Sequence, residues 1–195
     1  AMEGSIFIAG AGVQWLRDKM KFFKKASQTE KIIKSLKDNN NLYLVPAFTG
    51  LGAPYWDANA RGLLTGITRD TSSKEIVRST IESVAYQTYD LFEAMKHDGL
   101  RPKIIKVDGG MVMNNWFSQF LSDIVNIKVL RPKIQETTAL GAAFMAGLHI
   151  GVYKSLEDIS KNWNMDKKFI PKMKTNSRKK LLSGWSKAIK RTLVN

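Results

Sequence analysis

The sequence predicts one α/β domain, and three observations lead to this prediction. The chain has 195 residues, of which 44% are hydrophobic, and this is enough for one sizeable core but rarely for two. Short β-branched runs such as Ile104–Val107 alternate with longer segments whose apolar residues repeat at three and four. A strand, a glycine turn and a helix also follow one another directly over residues 104–124. We therefore expect residues 1–195 to form a single domain.

The composition argues against several classes of site. The chain has no cysteine, so it has neither disulfides nor thiolate metal ligands. His97 and His149 are its two histidines and lie too far apart for a helical ligand pair, so we expect no metal site. No run approaches the ~20 apolar residues of a membrane span, and Ala1–Gly4 lacks the charged start of a secretory signal. We expect a cytoplasmic protein without a membrane partner.

A formal net charge of +14 allows two interpretations. Such a charge is typical of proteins that bind nucleic acid through many phosphate contacts. The basic residues, however, concentrate in Lys19–Lys37 and Lys161–Arg191 with helical spacing, and they lack the regular interleaving with aromatic residues and glycines that is typical of single-strand binders. Solvated helix faces are therefore the favoured interpretation, and we expect no nucleic-acid partner. A basic nucleic-acid-binding module remains the alternative.

The first segment predicts a helix that begins near Gly10. The run Ser5–Gly12 is small and apolar, and helical spacing begins after it. Small residues at a helix start let another backbone or a ligand approach closely. From the residues alone, close packing is favoured over ligand contact at this turn.

The next segment predicts a strand and an unusual loop. Residues Leu42–Phe48 form an apolar run, and Thr49–Asp57 is a loop rich in glycine and proline that carries Tyr55 and Trp56. Aromatic residues in such a loop either anchor the loop to its own domain or contact a ligand, and the first interpretation is favoured. Residues Arg61–Thr68 follow as a short strand or an extended segment.

The longest predicted helix begins at a capping box. Ser72 and Glu75 have the required spacing, and the apolar pattern ends at Gly99, which suits a helix stop. Arg78 and Glu82 lie one turn apart on this helix, and we expect them to form a surface ion pair of little energetic value.

A glycine turn follows the strand Ile104–Val107. Gly109 and Gly110, at the end of what we expect to be a buried strand, allow a positive φ and a close approach to the backbone. Asn114 would direct an amide into the same crevice. The turn is neither a Walker loop nor a Gly-x-Gly-x-x-Gly motif. A tight bend without a ligand and a ligand contact remain equal alternatives from the residues alone.

The last part of the chain predicts a strand and two helical regions. Residues Ile127–Leu130 form the strand, and Arg131 and Pro132 end it. The helix Glu136–Gly147 has a small-residue face on which Gly141 and Ala142 are expected to pack closely. The tail is expected to be helical from Ser155 and to dock on the domain through an apolar stripe, which consists of Leu181, Leu182, Trp185, Ile189 and Leu193.

These segments together resemble the glycerol kinases within the FGGY family of carbohydrate kinases. The resemblance is most specific at residues 45–57 (VPAFTGLGAPYWD), at residues 107–110 (VDGG) and at residues 136–143 (ETTALGAA). The second signature of the wider family is matched at Gly62, Leu64, Gly66, Ile67, Glu75, Ile76, Ser79, Thr80, Ile81 and Glu82. The chain is thus identified by resemblance as a C-terminal, nucleotide-binding domain of this family.

The resemblance implies an actin-like ATPase architecture of the ribonuclease H type, incomplete at its N-terminal side. It implies transfer of the ATP γ-phosphoryl group to glycerol with Mg²⁺, giving ADP and sn-glycerol 3-phosphate, in a homo-oligomer. The N-terminal, glycerol-binding domain and the catalytic base are expected to lie outside residues 1–195. No catalytic residue is therefore assigned here, and the segment alone is expected to be inactive. A pentulose or other sugar kinase of the same family is the alternative.

The resemblance also implies four nucleotide-binding residues. They are Gly10 and Gln14 at the first helix start, and Gly110 and Asn114 in the glycine turn. At both places the resemblance favours nucleotide contact over simple packing. Asp108 fits a role in the turn better than that of a base.

Overall fold

The structure is a computed structural model, and it describes residues 4–193. The chain alternates between helices and strands, as the sequence predicts for an α/β domain. The strands are β1 (Tyr43–Val45), β2 (Leu63–Thr65), β3 (Ile104–Lys106), β4 (Lys128–Pro132) and β5 (Met165–Phe169). The helices are α1 (Gly10–Asp18), α2 (Gln28–Lys34), α3 (Ser73–His97), α4 (Asn115–Val125), α5 (Thr137–His149), α6 (Leu156–Ser160) and α7 (Thr175–Thr192), with a 3-10 turn at Gly110–Met113.

The strands form two small sheets. Strand β1 pairs antiparallel with β2. Strand β4 lies in the centre of the other sheet, parallel to β3 and antiparallel to β5. The parallel β3–β4 pair is connected by the 3-10 turn and α4, which places the glycine turn at the carboxyl end of β3.

Helix α3 is the centre of the domain. Its predicted capping box is confirmed, because Ser72 accepts a hydrogen bond from Lys74 N–H and Glu75 accepts one from Ser72 N–H. Eleven of its residues between Glu75 and Gln87 are buried, and α4 packs along this helix. The ring of Tyr86 on α3 stacks on Trp185 of α7 at 5.3 Å between centroids. The predicted docking of the C-terminal helix is therefore confirmed.

The expectation of a buried strand before the glycine turn is wrong. Strand β3 is an edge strand that pairs only with β4 among the described residues, and Ile104 is 51% exposed. A β-branched run predicts a strand equally well at an edge and in the centre of a sheet. The β-branched run therefore predicts the strand but not whether it is buried.

The helical tail contains a strand that the sequence analysis did not predict. Strand β5 lies between α6 and α7 and pairs with β4 from Val129 to Pro132. Its sequence, MDKKF, is mostly charged and exposed, as is typical of protected sheet edges. Strand β4 extends two residues beyond the expected Leu130, because Arg131 and Pro132 are its last two residues.

Helix α5 was expected to pack closely through its small residues, and this expectation is wrong for the described residues. A Cβ atom added at Gly141 would meet nothing within 4 Å, and Ala142 is exposed. The helix is fixed at its start instead, where Thr137 donates a hydrogen bond to Asp108. This contact gives Asp108 the turn role that the sequence suggested.

The Arg78–Glu82 pair is buried, contrary to the expectation of a surface pair. The Arg78 Nε–Glu82 Oε1 distance is 2.7 Å, and the side chains are 11% and 0% exposed. Glu82 also accepts hydrogen bonds from Tyr86 and Asn39. Burial raises the pKa of Glu82 above its usual range, and the charge of Arg78 opposes this rise. The i,i+4 spacing predicted the contact, but burial depends on α2 and α4, which cover this face.

The two loop aromatics have different roles. Tyr55 anchors the loop as expected, because its hydroxyl donates to Asp90 Oδ2 at 2.8 Å. The same carboxylate oxygen accepts a hydrogen bond from Trp185 Nε1 at 2.6 Å. Trp56, in contrast, is 69% exposed, so the expectation that it anchors the loop is wrong for the described chain.

Candidate functional site

A cleft of about 430 Å³ lies between the start of α1, the start of α2 and the turn before α4. This volume is within the range typical of small-molecule sites, roughly 300–1,000 Å³. All four residues that the sequence analysis assigned to nucleotide binding line it, namely Gly10, Gln14, Gly110 and Asn114. The packing of α1 and α4 on α3 thus brings Gln14 and Gly110 to one site, although they lie 96 positions apart in the chain.

The two glycines of this set leave open space. A Cβ atom added at Gly10 or at Gly110 would meet nothing within 4 Å. Close packing within the chain is therefore not the reason for glycine at Gly10, although the residues alone favoured it. By contrast, a Cβ atom added at Gly12 would lie 3.0 Å from Thr80 Cγ2, so glycine is needed there for packing. Gly109 has φ +82°, the left-handed value that the turn was expected to need.

Asn114 has a structural role besides lining the cleft. Its Oδ1 accepts a hydrogen bond from Phe117 N–H at 3.0 Å, which caps α4. Its Nδ2 donates to Thr29 Oγ1 at 3.2 Å and so connects the glycine turn to α2. The expectation that the whole amide points into the crevice is corrected, because its oxygen and one N–H are already engaged. One N–H of the amide remains for a ligand.

Gln14 is placed differently from Asn114. Its side chain is exposed, and among residues 4–193 it forms no side-chain hydrogen bond. Gly10, Gln14 and Arg17 follow one another by one turn of α1 and present one face to the cleft. The amide of Gln14 is therefore available to a ligand both as donor and as acceptor.

The cleft contains one carboxylate, that of Glu30. Its Oε2 accepts a hydrogen bond from Asn115 N–H at 3.2 Å, and its Oε1 accepts one from Lys34 at 2.6 Å. Burial opposes ionisation of Glu30, but these hydrogen bonds outweigh it and lower the pKa of the carboxyl below its ordinary value. Glu30 is therefore ionised at neutral pH and can accept hydrogen bonds but cannot donate them.

Arg131 holds the glycine turn from behind. Its guanidinium donates to the carbonyl oxygen of Val112 at 2.8 Å and to Asn115 Oδ1 at 3.3 Å. It also forms an ion pair with Asp166 on β5 at 2.6 Å. Arg131 itself is only 5% exposed. A buried guanidinium with donors in a fixed plane is well suited to fixing a backbone turn.

The walls of the cleft combine apolar and polar groups. Ile81 and Met111 give it apolar surface, and hydroxyl, amide and carboxylate groups are contributed by Ser27, Gln14 and Glu30. A flat apolar ring can lie between such walls while its polar edge and attached hydroxyls are bound at the rim. The arrangement suits a nucleoside better than a purely charged or a purely aliphatic ligand.

Sequence analysis missed a part of the cleft. Val13 and Arg17 line it and follow from the helical period of Gly10 and Gln14, so the spacing was a usable signal. The α2 side, which includes Ala26, Ser27 and Thr29, had no such signal because the segment Lys21–Asn41 carries no recognisable motif.

Residues 4–193 contain no group of three or more His, Asp or Glu side chains arranged to hold a metal ion. None of the helices in that part of the chain is long and apolar enough to cross a membrane.

The chain is similar to known proteins over most of its length. Residues 1–150 match the FGGY family of carbohydrate kinases, C-terminal domain. The chain is 53% identical over 191 residues to glycerol kinase 1 of Pseudomonas aeruginosa, covering 98% of the chain and 39% of that protein. It is 52% identical over 194 residues to glycerol kinase of Thermoanaerobacter pseudethanolicus, covering 99% of the chain and 39% of that protein. The chain thus spans about two fifths of the length of these relatives.

Solved structures show the same likeness. The glycerol kinase of Plasmodium falciparum with ADP has a TM-score of 0.87 and 38% identity, covering 98% of this chain and 38% of that chain. The xylulose kinase of Lactobacillus acidophilus, solved with a bound ligand, has a TM-score of 0.84 and 25% identity, covering 98% and 40%. The predicted fold class, an actin-like ATPase domain, is therefore confirmed. The chain belongs to the FGGY family of carbohydrate kinases, whose C-terminal domain it matches.

Proposed function

We propose that this chain is the nucleotide-binding part of an ATP-dependent glycerol kinase, with the nucleotide in the cleft between α1, α2 and the glycine turn. The observation that carries the proposal is the pair of open glycines. Gly10 and Gly110 face one cleft from two segments, and a Cβ atom at either position would meet nothing within 4 Å. A ligand that lies flat on both backbones explains glycine at both positions.

The relatives support the identity of this ligand. The Plasmodium falciparum structure with a TM-score of 0.87 is a glycerol kinase with ADP. In the proposed complex Gly10 and Gly110 border the nucleoside, Gln14 donates or accepts at its polar edge, and Asn114 offers its remaining N–H. Glu30, held ionised by Lys34, accepts hydrogen bonds from ribose hydroxyls. These residues bind and orient the nucleotide and take no part in proton transfer.

The proposed reaction is transfer of the γ-phosphoryl group of ATP to a primary hydroxyl of glycerol. Catalysis of phosphoryl transfer depends on positioning and on stabilising the charge of the transferred group. Magnesium commonly binds through substrate phosphates together with one or two carboxylates, and we propose that it enters with the nucleotide. The general base and the glycerol-binding groups are assigned to a preceding domain of a longer protein, and residues 1–195 to a single C-terminal domain.

Glycerol is favoured over a pentulose by the 50–53% identity to glycerol kinases over nearly the whole chain. A cytoplasmic homo-oligomer is part of the same proposal, as is the absence of nucleic-acid and membrane partners.

The test is an ATP-dependent assay of the complete protein that contains this chain, with glycerol compared against xylulose, ribulose and short polyols. We expect the highest kcat/KM with glycerol. A preference for a pentulose would be compatible with the proposed nucleotide site, but it would overturn the proposal that glycerol is the substrate. Absence of ATP turnover with every acceptor, in a folded protein, would overturn the proposed activity itself.

A further inference from the structure

A second cavity, of about 600 Å³, lies at the other end of α4. It is formed where the end of α3, the turn after α4 and the first turns of α7 meet. None of its lining residues lines the nucleotide cleft. The cleft is at Asn114, just before α4, and the cavity is at Val125, its last residue. At 1.5 Å per residue, α4 separates the two by about 16 Å.

The cavity has an excess of positive charge. Four of its side chains are cationic, namely Lys96, Arg101, Arg178 and Lys179, and one is anionic, Glu93. Lys96 forms an ion pair with Glu93. Within residues 4–193, the other three cations form neither an ion pair nor a side-chain hydrogen bond. Cations in a recess repel one another unless an anion joins them.

The wall of the cavity offers groups of a second kind. Tyr89 is half-buried there, and its hydroxyl forms no hydrogen bond with any other described residue. Burial and the charge of Glu93 raise the pKa of Tyr89, although Arg178 opposes this, so its hydroxyl remains a donor at neutral pH. Glu93 retains a carboxylate oxygen beyond the one that contacts Lys96. Tyr89 can thus donate a hydrogen bond to a ligand hydroxyl group, and Glu93 can accept one. Inorganic phosphate has no carbon-bound hydroxyl groups to offer them.

We propose that this cavity binds a small phosphate monoester that carries hydroxyl groups, a ligand of the sugar-phosphate class. Arg101, Arg178 and Lys179 bind the phosphate, because guanidinium groups match its oxygens in pairs. Tyr89 and Glu93 bind the hydroxyls. The volume of about 600 Å³ accommodates such a molecule and greatly exceeds that of a phosphate ion, since a water molecule occupies only about 30 Å³. The site is separate from the proposed nucleotide site and stands whether or not that proposal holds.

The test is a titration of the 195-residue chain, followed by two-dimensional amide NMR, with three probes: ribose 5-phosphate, inorganic phosphate and ribose. We expect ribose 5-phosphate to shift the amides of Tyr89, Asn126 and Arg178, and to bind at least about tenfold more tightly than either other probe. Shifts confined to Gly10 and Gly110 would overturn the proposal. Equal affinity for inorganic phosphate would overturn the roles of Tyr89 and Glu93.

A pair of variants distinguishes a specific binding site from general electrostatic attraction of the ligand to a basic protein. The double variant Arg101→Gln and Arg178→Gln should weaken ribose 5-phosphate by at least about tenfold. The control Arg69→Gln removes an exposed arginine outside the cavity and should leave the affinity unchanged. An equal loss of affinity in the double variant and in the control would show that the ligand is attracted by net charge alone, and it would overturn the proposed site. The NMR titration of the unaltered chain decides the location even if a variant does not fold.

Discussion

Arg131 Nη1 lies 2.8 Å from the carbonyl oxygen of Val112, so a residue of the central strand β4 fixes the turn that carries Gly110. The same guanidinium pairs with Asp166 on the neighbouring strand β5. The shape of the proposed nucleotide site therefore depends on a buried side chain that does not line it. Arg131 is a positioning residue, because it acts on the turn and not on a ligand.

Replacing Arg131 by methionine should lower both stability and nucleotide affinity. The variant removes the charged hydrogen bond to the Val112 carbonyl, which keeps the one from the Ser118 hydroxyl, and the loss of a hydrogen bond to a charged group costs about 1.5–3 kcal/mol of unfolding free energy. The remaining folded molecules should bind ADP more weakly because the turn is no longer held. Urea unfolding and ADP titration measure the two effects. Replacing the exposed Arg69 by methionine serves as the control. Unchanged stability and unchanged ADP affinity in Arg131→Met would contradict the positioning role of Arg131.

Replacing Gly110 by valine should remove nucleotide binding and spare the fold. The new side chain meets no protein atom within 4 Å of its Cβ and projects into the open space of the cleft. Gly12→Val is the matched comparison, because its Cβ lies 3.0 Å from Thr80 and should disturb the α1–α3 packing instead. Thermal unfolding and ADP titration separate these results. An unchanged ADP affinity in folded Gly110→Val would place the nucleotide elsewhere.

The buried Arg78–Glu82 pair on α3 should contribute far more to the stability of the domain than an exposed ion pair does. Arg78→Met leaves the fully buried Glu82 without its counter-charge, and breaking such a pair costs about 3–5 kcal/mol. Lys161→Met breaks the exposed pair with Asp158, which is worth at most ~1 kcal/mol. Denaturant midpoints of the two variants give the comparison. Equal effects would show that the Arg78–Glu82 pair contributes no more than a surface contact.

Asp90 should make the stability of the domain depend on pH. Burial raises the pKa of Asp90 from 3.8 to about 6, although hydrogen bonds from Trp185 and Tyr55 oppose this rise. Between these two values the folded state binds more protons than the unfolded state, so stability should fall as pH rises from about 4 to about 6. Asp90→Asn keeps an acceptor oxygen without the charge and should remove this part of the pH dependence.

The measurement for Asp90 is the urea-unfolding free energy of both proteins at several pH values, with the exposed Asp70→Asn as the control. The difference between Asp90→Asn and the unaltered chain should grow in favour of the variant as pH rises through this window. A constant difference would mean that Asp90 has an ordinary pKa in the folded state.

Much of the fold could be predicted because local signals agreed with the packing. The capping box at Ser72 and Glu75, the stop at Gly99 and the apolar stripe of α7 each reflect the chemistry of one element, and each was found where expected. Strand β5 was missed for a physical reason. Its charged residues face solvent at a sheet edge, and its pairing with β4 comes from tertiary contact and not from propensity.

The candidate site was only partly predictable. The glycines at Gly10 and Gly110 are visible in the sequence, because glycine marks a backbone position that must stay open. Arg131 was interpreted as the end of a strand, since nothing local indicates that its guanidinium reaches a turn 19 residues earlier. The contribution of α2 was missed for a similar reason, because Thr29 and Glu30 meet the turn only in the folded chain.

The most direct test of the central claim is an ADP titration of the 195-residue chain monitored by two-dimensional amide NMR, which detects weak binding and locates it. We predict saturable shifts at Gly10, Gln14, Gly110 and Asn114, with Gly66, which lies outside this cleft, unaffected. Saturable shifts that spare these four residues, or no shifts at millimolar ADP, would contradict the claim that the cleft between α1, α2 and the glycine turn binds the nucleotide.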